Sequence, residues 1–269
     1  MAALDSSVTP LPLIFGPFDP SGASNLPIDA VISARLGAHA GSVVTAIHVQ
    51  DTAGVETIQR LPPDLIDDQA RCLLEDMAIG ALKIGPQYDP ETISVLAQIT
   101  ADYSELPLVL QLVSPPSVPD LEDLDSEETV SAMLELLAPQ ALVAVVDAGL
   151  LERWAGQGLL SASGADSPVA ALHDFGISHV LCGNGALGDG LNGLSLHSKG
   201  LPSRRWPWPA PNVRVSDSES LLATIMACLL AQGREPAQAA QQAVAAAGPM
   251  LARNFHPGMG QRILRHTSP

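Results

Sequence analysis

The sequence predicts an α/β fold: a mostly parallel central sheet with helices on both faces. Short apolar runs rich in β-branched residues alternate with longer segments of helical periodicity along the chain. Several of the apolar runs stop at residues rich in Gly, Pro, Ser and Asp, as strands do when they feed loops at a sheet edge. The stretches between successive runs are long enough for the helical crossovers that parallel strands need. With 269 residues, 46% of them hydrophobic, the chain can bury a full core, and one domain is expected.

Leu11 to Phe15 forms the first strand and stops at Gly16, and Pro27 to Gly37 follows as a helix with Pro27 in its first turn and Ile28, Val31, Ile32 and Leu36 on one face. Ser42 to Val49 reads as the second strand and Gln50 to Gly54 as a turn. Helix Pro62 to Met77, strand Ala81 to Ile84, helix Pro90 to Tyr103 and strand Leu106 to Val113 continue the alternation. The stretch 114–128 carries three prolines and six acidic residues and reads as a solvated loop before helix Glu128 to Leu137. Strand Ala141 to Val146, helix Ser167 to Phe175 and strand His179 to Cys182 come next, and Gly183 to Gly193 reads as a glycine-rich loop. Leu194 to Pro211 is a small hairpin or meander carrying Trp206 and Trp208, and two Ala- and Leu-rich helices, Ser220 to Gln232 and Pro236 to Arg253, close the chain on either side of Gly233.

Composition narrows the function. The 29 acidic residues outnumber the 13 basic ones, for a formal charge of −16, which opposes a nucleic-acid partner. Cys72, Cys182 and Cys228 stand far apart in apolar surroundings and read as buried free thiols of a reducing compartment. No basic segment precedes an apolar run at the N-terminus and no stretch is apolar enough to span a bilayer, so the expected location is cytoplasmic, with no membrane partner. The histidines are scattered without metal-ligand spacing, and no metal site is expected. The glycine run lacks a phosphate-loop lysine and a following helix, and Ser21 lacks the partners of a hydrolase nucleophile.

Four short motifs occur in order between Gly16 and Gly85. Gly16-Pro17-Phe18-Asp19-Pro20-Ser21-Gly22-Ala23 is followed by Asp29, then by Leu36-Gly37-Ala38-His39, then by Thr45-Ala46 with Gln50-Asp51-Thr52-Ala53-Gly54-Val55, and finally by Lys83-Ile84-Gly85. At these separations they resemble the hydroxymethylpyrimidine and phosphomethylpyrimidine kinases of thiamine biosynthesis, which belong to the ribokinase-like fold. The resemblance implies a pocket for a small aminopyrimidine or its phosphate, lined by Gly16, Asp19, Gly22, Gln50 and Gly85, with Gln50 on the pyrimidine, and it implies a homodimer. The residues agree: a carboxylate and a two-sided amide suit an amine and a ring nitrogen, and glycines admit close backbone approach. The alternative is that Asp19 and Asp51 cap turns and that the glycines only permit tight backbone geometry.

The ATP side departs from the family pattern. Where these kinases carry a glycine-rich anion-hole motif before a helix, this chain has Ser216-Asp217-Ser218-Glu219 ahead of the helix at Ser220. Two carboxylates then face the place where a phosphate should sit, and the glycine freedom is gone. The same residues are also good helix caps. The family's lysine-bearing strand end corresponds to Cys182-Gly183-Asn184-Gly185, without the lysine, and its Thr-Pro-Asn stretch corresponds to Val145-Val146-Asp147.

The expected function is therefore a kinase-like protein of the thiamine pyrimidine branch that keeps a substrate pocket and has weak or lost ATP-dependent phosphoryl transfer. One alternative is an active kinase using ATP and Mg²⁺ with Glu219 as its base; another is a non-catalytic structural subunit. In the expected function, with weak or lost phosphoryl transfer, Gly183, Gly185, Ser216, Asp217 and Ser218 are remnants of a nucleotide site.

Overall fold

The computed structural model describes residues 9–114, 126–160, 165–188, 191–208 and 218–265. The acidic, proline-bearing stretch read as a loop falls for the most part outside these residues, as do Ser216 and Asp217.

Nine strands form one sheet in the order β3-β2-β1-β4-β5-β6-β7-β8-β9. In chain order they are β1 (Pro12–Phe18), β2 (Gly41–Gln50), β3 (Val55–Arg60), β4 (Ala81–Ile84), β5 (Leu108–Leu112), β6 (Val143–Asp147), β7 (His179–Gly188), β8 (Leu191–Ser198) and β9 (Arg204–Pro207). From β2 to β7 the pairings are parallel, whereas β3 at one edge and β8 and β9 at the other are antiparallel. The central strands are buried on both faces, which explains why β1, β4, β5 and β6 read as continuous apolar runs rather than alternating ones.

Helices α2 (Pro63–Asp76), α3 (Pro90–Asp102), α4 (Ser126–Ala132), α5 (Ala148–Gly156) and α6 (Pro168–Asp174) cover one face. Helices α1 (Asn25–Arg35), α7 (Ser218–Ala231) and α8 (Pro236–Ala252) cover the other. α4 runs on through a π-helical turn at Met133–Leu137 and a 3-10 turn at Ala138–Gln140. A short pair, β10 (Asn254–Phe255) and β11 (Ile263–Leu264), ends the described chain.

The fold class agrees with the sequence reading, and four details differ. Residues after the Gln50 to Gly54 turn return as β3, making a hairpin with β2. α5 starts directly at the end of β6 with Asp147 as its N-cap, its Oδ1 accepting from Leu150 N at 3.1 Å. The glycine-rich run is not a loop: β7 continues to Gly188 and pairs with β8, with Gly185 opposite Gly193 and irregularities between Cys182 and Gly185 and between Ala186 and Gly188, because glycines still offer backbone donors and acceptors. Cys72 is exposed on α2, whereas Cys182 and Cys228 are buried.

The topology fixes where a ligand can sit. The chain leaves β1 toward β2 and later returns on the other side of β1 to form β4, so crossovers diverge between β1 and β4. In open α/β sheets the crevice beyond the strand carboxyl ends at such a switch point is the natural ligand site. Phe15 pairs with Ile84 there, and Gly85 N extends the ladder to Phe15 O at 2.8 Å.

Candidate functional site

The loop after β1 is organised by one side chain. Asp19 is fully buried, and its Oδ1 accepts from Ser21 N at 2.8 Å. Its Oδ2 accepts from Ser21 Oγ (3.0 Å), Ala23 N (3.1 Å), Ser24 N (2.8 Å) and Ser24 Oγ (2.8 Å). Gly22 N closes the turn on Asp19 O at 3.1 Å, and Gly22 adopts φ +69°, a conformation that disfavours any side chain. Asp19 thus holds the loop and reaches a ligand only through the groups it orients. Asp51 behaves alike on the surface, with Oδ1 accepting from Ala53 N (2.7 Å) and Gly54 N (3.1 Å). These are the turn-capping roles weighed above as the alternative.

Gln50, the last residue of β2, is half-buried and belongs to a chain of side chains across the switch point. Its amide lies 3.4 Å from Ser24 Oγ on one side and 2.9 Å from His48 Nδ1 on the other. His48 Nε2 meets the Tyr88 hydroxyl at 3.0 Å. Burial lowers the His48 pKa below its ordinary value; its hydrogen bond with Gln50 and the charge of Asp19 act more weakly in the opposite direction. Gln87, next to Tyr88, is buried, donates from Nε2 to Gly85 O at 3.2 Å, and keeps an Oε1 with no hydrogen-bond partner among the described residues. Such an acceptor requires an explanation, and a bound donor supplies one.

Of the glycines read as pocket positions, Gly85 has the clearest steric need: an added Cβ would stand 3.3 Å from Phe15 O and 3.7 Å from Gln111 Oε1. Gly16 is buried in β1, and its nearest contact for an added Cβ is Leu26 at 3.9 Å, ordinary packing. Gly16, Asp19, Gly22, Gln50 and Gly85 all lie at or beside the carboxyl ends of β1, β2 and β4, so the structure brings this set together.

Lys83 of β4 points into the opposite face, fully buried. Its three donors are all used: Asp29 Oδ2 of α1 at 2.7 Å, and Ser220 Oγ (2.7 Å) and Thr224 Oγ1 (3.0 Å) of α7. Ser220 and Thr224 also donate to Asp29 Oδ1. The first turns of α7 are thereby fastened to the first half of the chain.

At the positions read from the sequence as remnants of a nucleotide site, Gly183, midway along β7, pairs with Asp147, the last residue of β6. Asn184, at φ 56°, donates to Asp147 Oδ2 at 2.7 Å. With Oδ1 capping α5 and Oδ2 on Asn184, both oxygens of Asp147 are engaged. Ser218 begins α7 and Glu219 lies half-buried in its first turn. Among the described residues no group of three or more His, Cys, Asp or Glu side chains is arranged to hold a metal ion. A cavity of about 460 Å³ lies elsewhere, between α5, α6 and β8, and shares no lining residue with the chain at the switch point.

Sequence reasoning missed Ser24, His48, Gln87 and Tyr88. A cue existed for His48, because period-two alternation puts it on the same strand face as Gln50. Tyr88 is forty residues from His48 and only the fold brings them together.

Comparison with known proteins places this geometry in context. Residues 19–265 match the sequence profile of the phosphomethylpyrimidine kinase family. The chain is 24% identical over 218 residues to the chloroplastic thiamine biosynthetic bifunctional enzyme of Arabidopsis thaliana, covering 80% of this chain and 40% of that protein. It is 30% identical over 171 residues to the probable bifunctional counterpart of Oryza sativa, covering 62% of this chain and 30% of the other. The chain thus spans less than half the length of these relatives. A hydroxymethylpyrimidine/phosphomethylpyrimidine kinase of Mycobacterium leprae is 24% identical over 224 residues, 80% of this chain and 78% of that one. Among solved structures, a pyridoxal kinase from Staphylococcus aureus in complex with ADP superimposes with a TM-score of 0.80 at 19% identity, covering 96% of this chain and 94% of the other. A phosphomethylpyrimidine kinase from Clostridium difficile gives 0.70 at 20% identity over 90% and 99%.

Proposed function

Because the chain belongs to the phosphomethylpyrimidine kinase family, we propose that it binds a small aminopyrimidine or its phosphate beyond the carboxyl ends of β1, β2 and β4, and transfers phosphate from ATP weakly or not at all. The observation that carries the binding half is the hydrogen-bonded chain Tyr88, His48, Gln50, Ser24 and Asp19 at the switch point, which presents a fixed amide to the crevice. In this reading Gln50 contacts the ring, Gly85 lets the ring approach the backbone, and Asp19 and Gly22 shape the loop.

The catalytic half rests on composition at the start of α7. Phosphoryl transfer depends on positioning and on neutralising charge that spreads over the transferred oxygens. In sequence, Ser216, Asp217, Ser218 and Glu219 supply two carboxylates and no glycine ahead of Ser220, where the family pattern has its glycine-rich motif. Mg²⁺ travels largely with the phosphates of ATP and needs few protein oxygens. A second reading takes Glu219, in the first turn of a helix fastened by Lys83, as the base of an active kinase using ATP and Mg²⁺. A structural subunit that binds neither ligand is the third.

Calorimetry with the hydroxymethylpyrimidine, its phosphate and ATP with Mg²⁺ separates these. Pyrimidine binding without ATP binding supports the proposal. ATP turnover abolished in Glu219→Gln supports the second reading, and binding of none of the three ligands supports the third.

The same proposal has the chain act as a cytoplasmic, single-domain homodimer. Phe18, Ile47 and Val49, 44%, 44% and 53% exposed at the end of β1 and β2, offer a second copy an apolar seat. Light scattering on Ile47→Asp tests it, with a shift from dimer to monomer expected.

A further inference from the structure

The side-chain chain at the switch point has a direction, and its direction is set from the Asp19 end. Asp19, met by five donors, can only accept. Ser24 Oγ lies 2.8 Å from Asp19 Oδ2, so the single hydroxyl proton of Ser24 points there. Toward its other neighbours Ser24 Oγ is then an acceptor, taking Asn25 Nδ2 at 3.0 Å and Gln50 Nε2 at 3.4 Å. Gln50 therefore turns its amine toward Ser24 and its Oε1 toward His48. His48 Nδ1 carries the ring proton and donates to Oε1 at 2.9 Å, which leaves Nε2 bare to accept the Tyr88 hydroxyl at 3.0 Å. Turning the Gln50 amide over would press its oxygen against the lone pairs of Ser24 Oγ, or would force Ser24 to withdraw its proton from Asp19 and leave two acceptors 2.8 Å apart.

One hydrogen of Gln50 Nε2 and one lone pair of Oε1 have no partner among the described residues. An amide free to turn would serve a ring edge of either polarity; a fixed one serves a single polarity for a given ring pose. We propose that Ser24 and His48 are specificity-determining residues that hold the Gln50 amide in one orientation. The site then reads the edge of an aminopyrimidine, an exocyclic N–H beside an unprotonated ring nitrogen, and rejects the pyrimidinone edge, in which donor and acceptor are exchanged. The pairing is the two-point contact by which a side-chain amide reads adenine over other bases, and a site built to pair buried polar groups discriminates strongly against a ligand that leaves them unpaired. The inference rests on the aminopyrimidine reading of the site given above.

The test is calorimetry on the full chain with a 4-amino-5-hydroxymethylpyrimidine and its 4-oxo counterpart. The amino ring is expected to bind tighter by about tenfold or more, the range of one good two-point pair. In Ser24→Ala, where the amide can turn, the preference is expected to shrink to about threefold or less. The unsubstituted protein gives a second readout that needs no variant to fold: the ¹⁵N shifts of His48 should report a protonated Nδ1 and a bare Nε2. Equal binding of the two rings, a preference kept intact in Ser24→Ala, or an Nε2-protonated His48 each overturns the polarity lock while leaving the pyrimidine site standing. Failure of both rings to bind overturns the site and the lock together.

Discussion

A thiol reagent would distinguish the three cysteines at once. Cys182 and Cys228 are buried, and burial pushes both thiols up to about 11, far from the reactive thiolate. Cys72 is exposed on α2. One equivalent of a thiol probe should react rapidly with the native chain, at Cys72, and the other two only on unfolding; rapid loss of all three would contradict the packing around β7 and α7. The histidines give a pH dependence of known sign. His48, His179 and His197 are each held below the ordinary 6.5, burial being the leading cause for all three. The unfolded chain therefore binds protons that the native one refuses, and stability present above 6.5 is lost as pH falls through the native values. Each such histidine adds a slope of up to about 1.4 kcal/mol per pH unit. Thermal unfolding midpoints should drop on acidification through 6.5, and His48→Gln should flatten the curve.

At the scale of elements, the strongest tie is the buried group of Lys83, Asp29, Ser220 and Thr224, which joins β4, α1 and α7. Removing one partner of a buried ion pair strands the other, at a cost of about 3–5 kcal/mol. Lys83→Met should lower the unfolding free energy measured by denaturant titration by that amount, and adding Asp29→Leu should recover part of it, since the double change leaves no lone charge. A double variant no more stable than Lys83→Met alone would count against the pair. Elements with a clear period were legible: Ala81 to Ile84 is the strand that its apolar run predicts, and α2, α3, α7 and α8 fall within two residues of their expected ends. β3 escaped because Val55 to Arg60 alternates on an exposed edge with too few apolar residues. α5 escaped because it follows β6 with no linker, its sole cue being Asp147 as a cap. The far half of β7 looked like loop because composition reports glycine content, whereas pairing depends on the backbone. In the site, the motifs pointed to Gln50 and Gly85, but the partners that orient Gln50 come from other elements and carry no local signal.

At the scale of the whole molecule, the chain's end returns to the loop that follows Gln50. Gly260 N donates to Thr52 Oγ1 at 3.1 Å, Gln261 N donates to Thr52 O at 2.6 Å, and His256 Nε2 braces the bend on Gly260 O at 2.9 Å. The approach is so close that a Cβ on Gly260 would fall on the Thr52 carbonyl, a backbone group that cannot rotate away. A Cβ on Gly258 would instead meet the Thr52 hydroxyl at 2.8 Å, which a rotamer change can move. β10 and β11 hold the two ends of this segment together, so it docks as a small hairpin with its tip on the turn that follows Gln50. Gly260→Ala should therefore undock the tip, at an overpacking cost of about 1–3 kcal/mol, while Gly258→Ala should be tolerated more easily. Hydrogen exchange gives the readout: the amide of Gln261, protected by the Thr52 carbonyl in the unsubstituted chain, should exchange quickly in Gly260→Ala and remain slow in Gly258→Ala, where only the Thr52 hydroxyl that accepts from Gly260 N has to move. Because Asp51 and Gly54 close the same turn beside Gln50, pyrimidine affinity should fall with the lost protection; lost protection with unchanged affinity would mean that the tail does not brace the site.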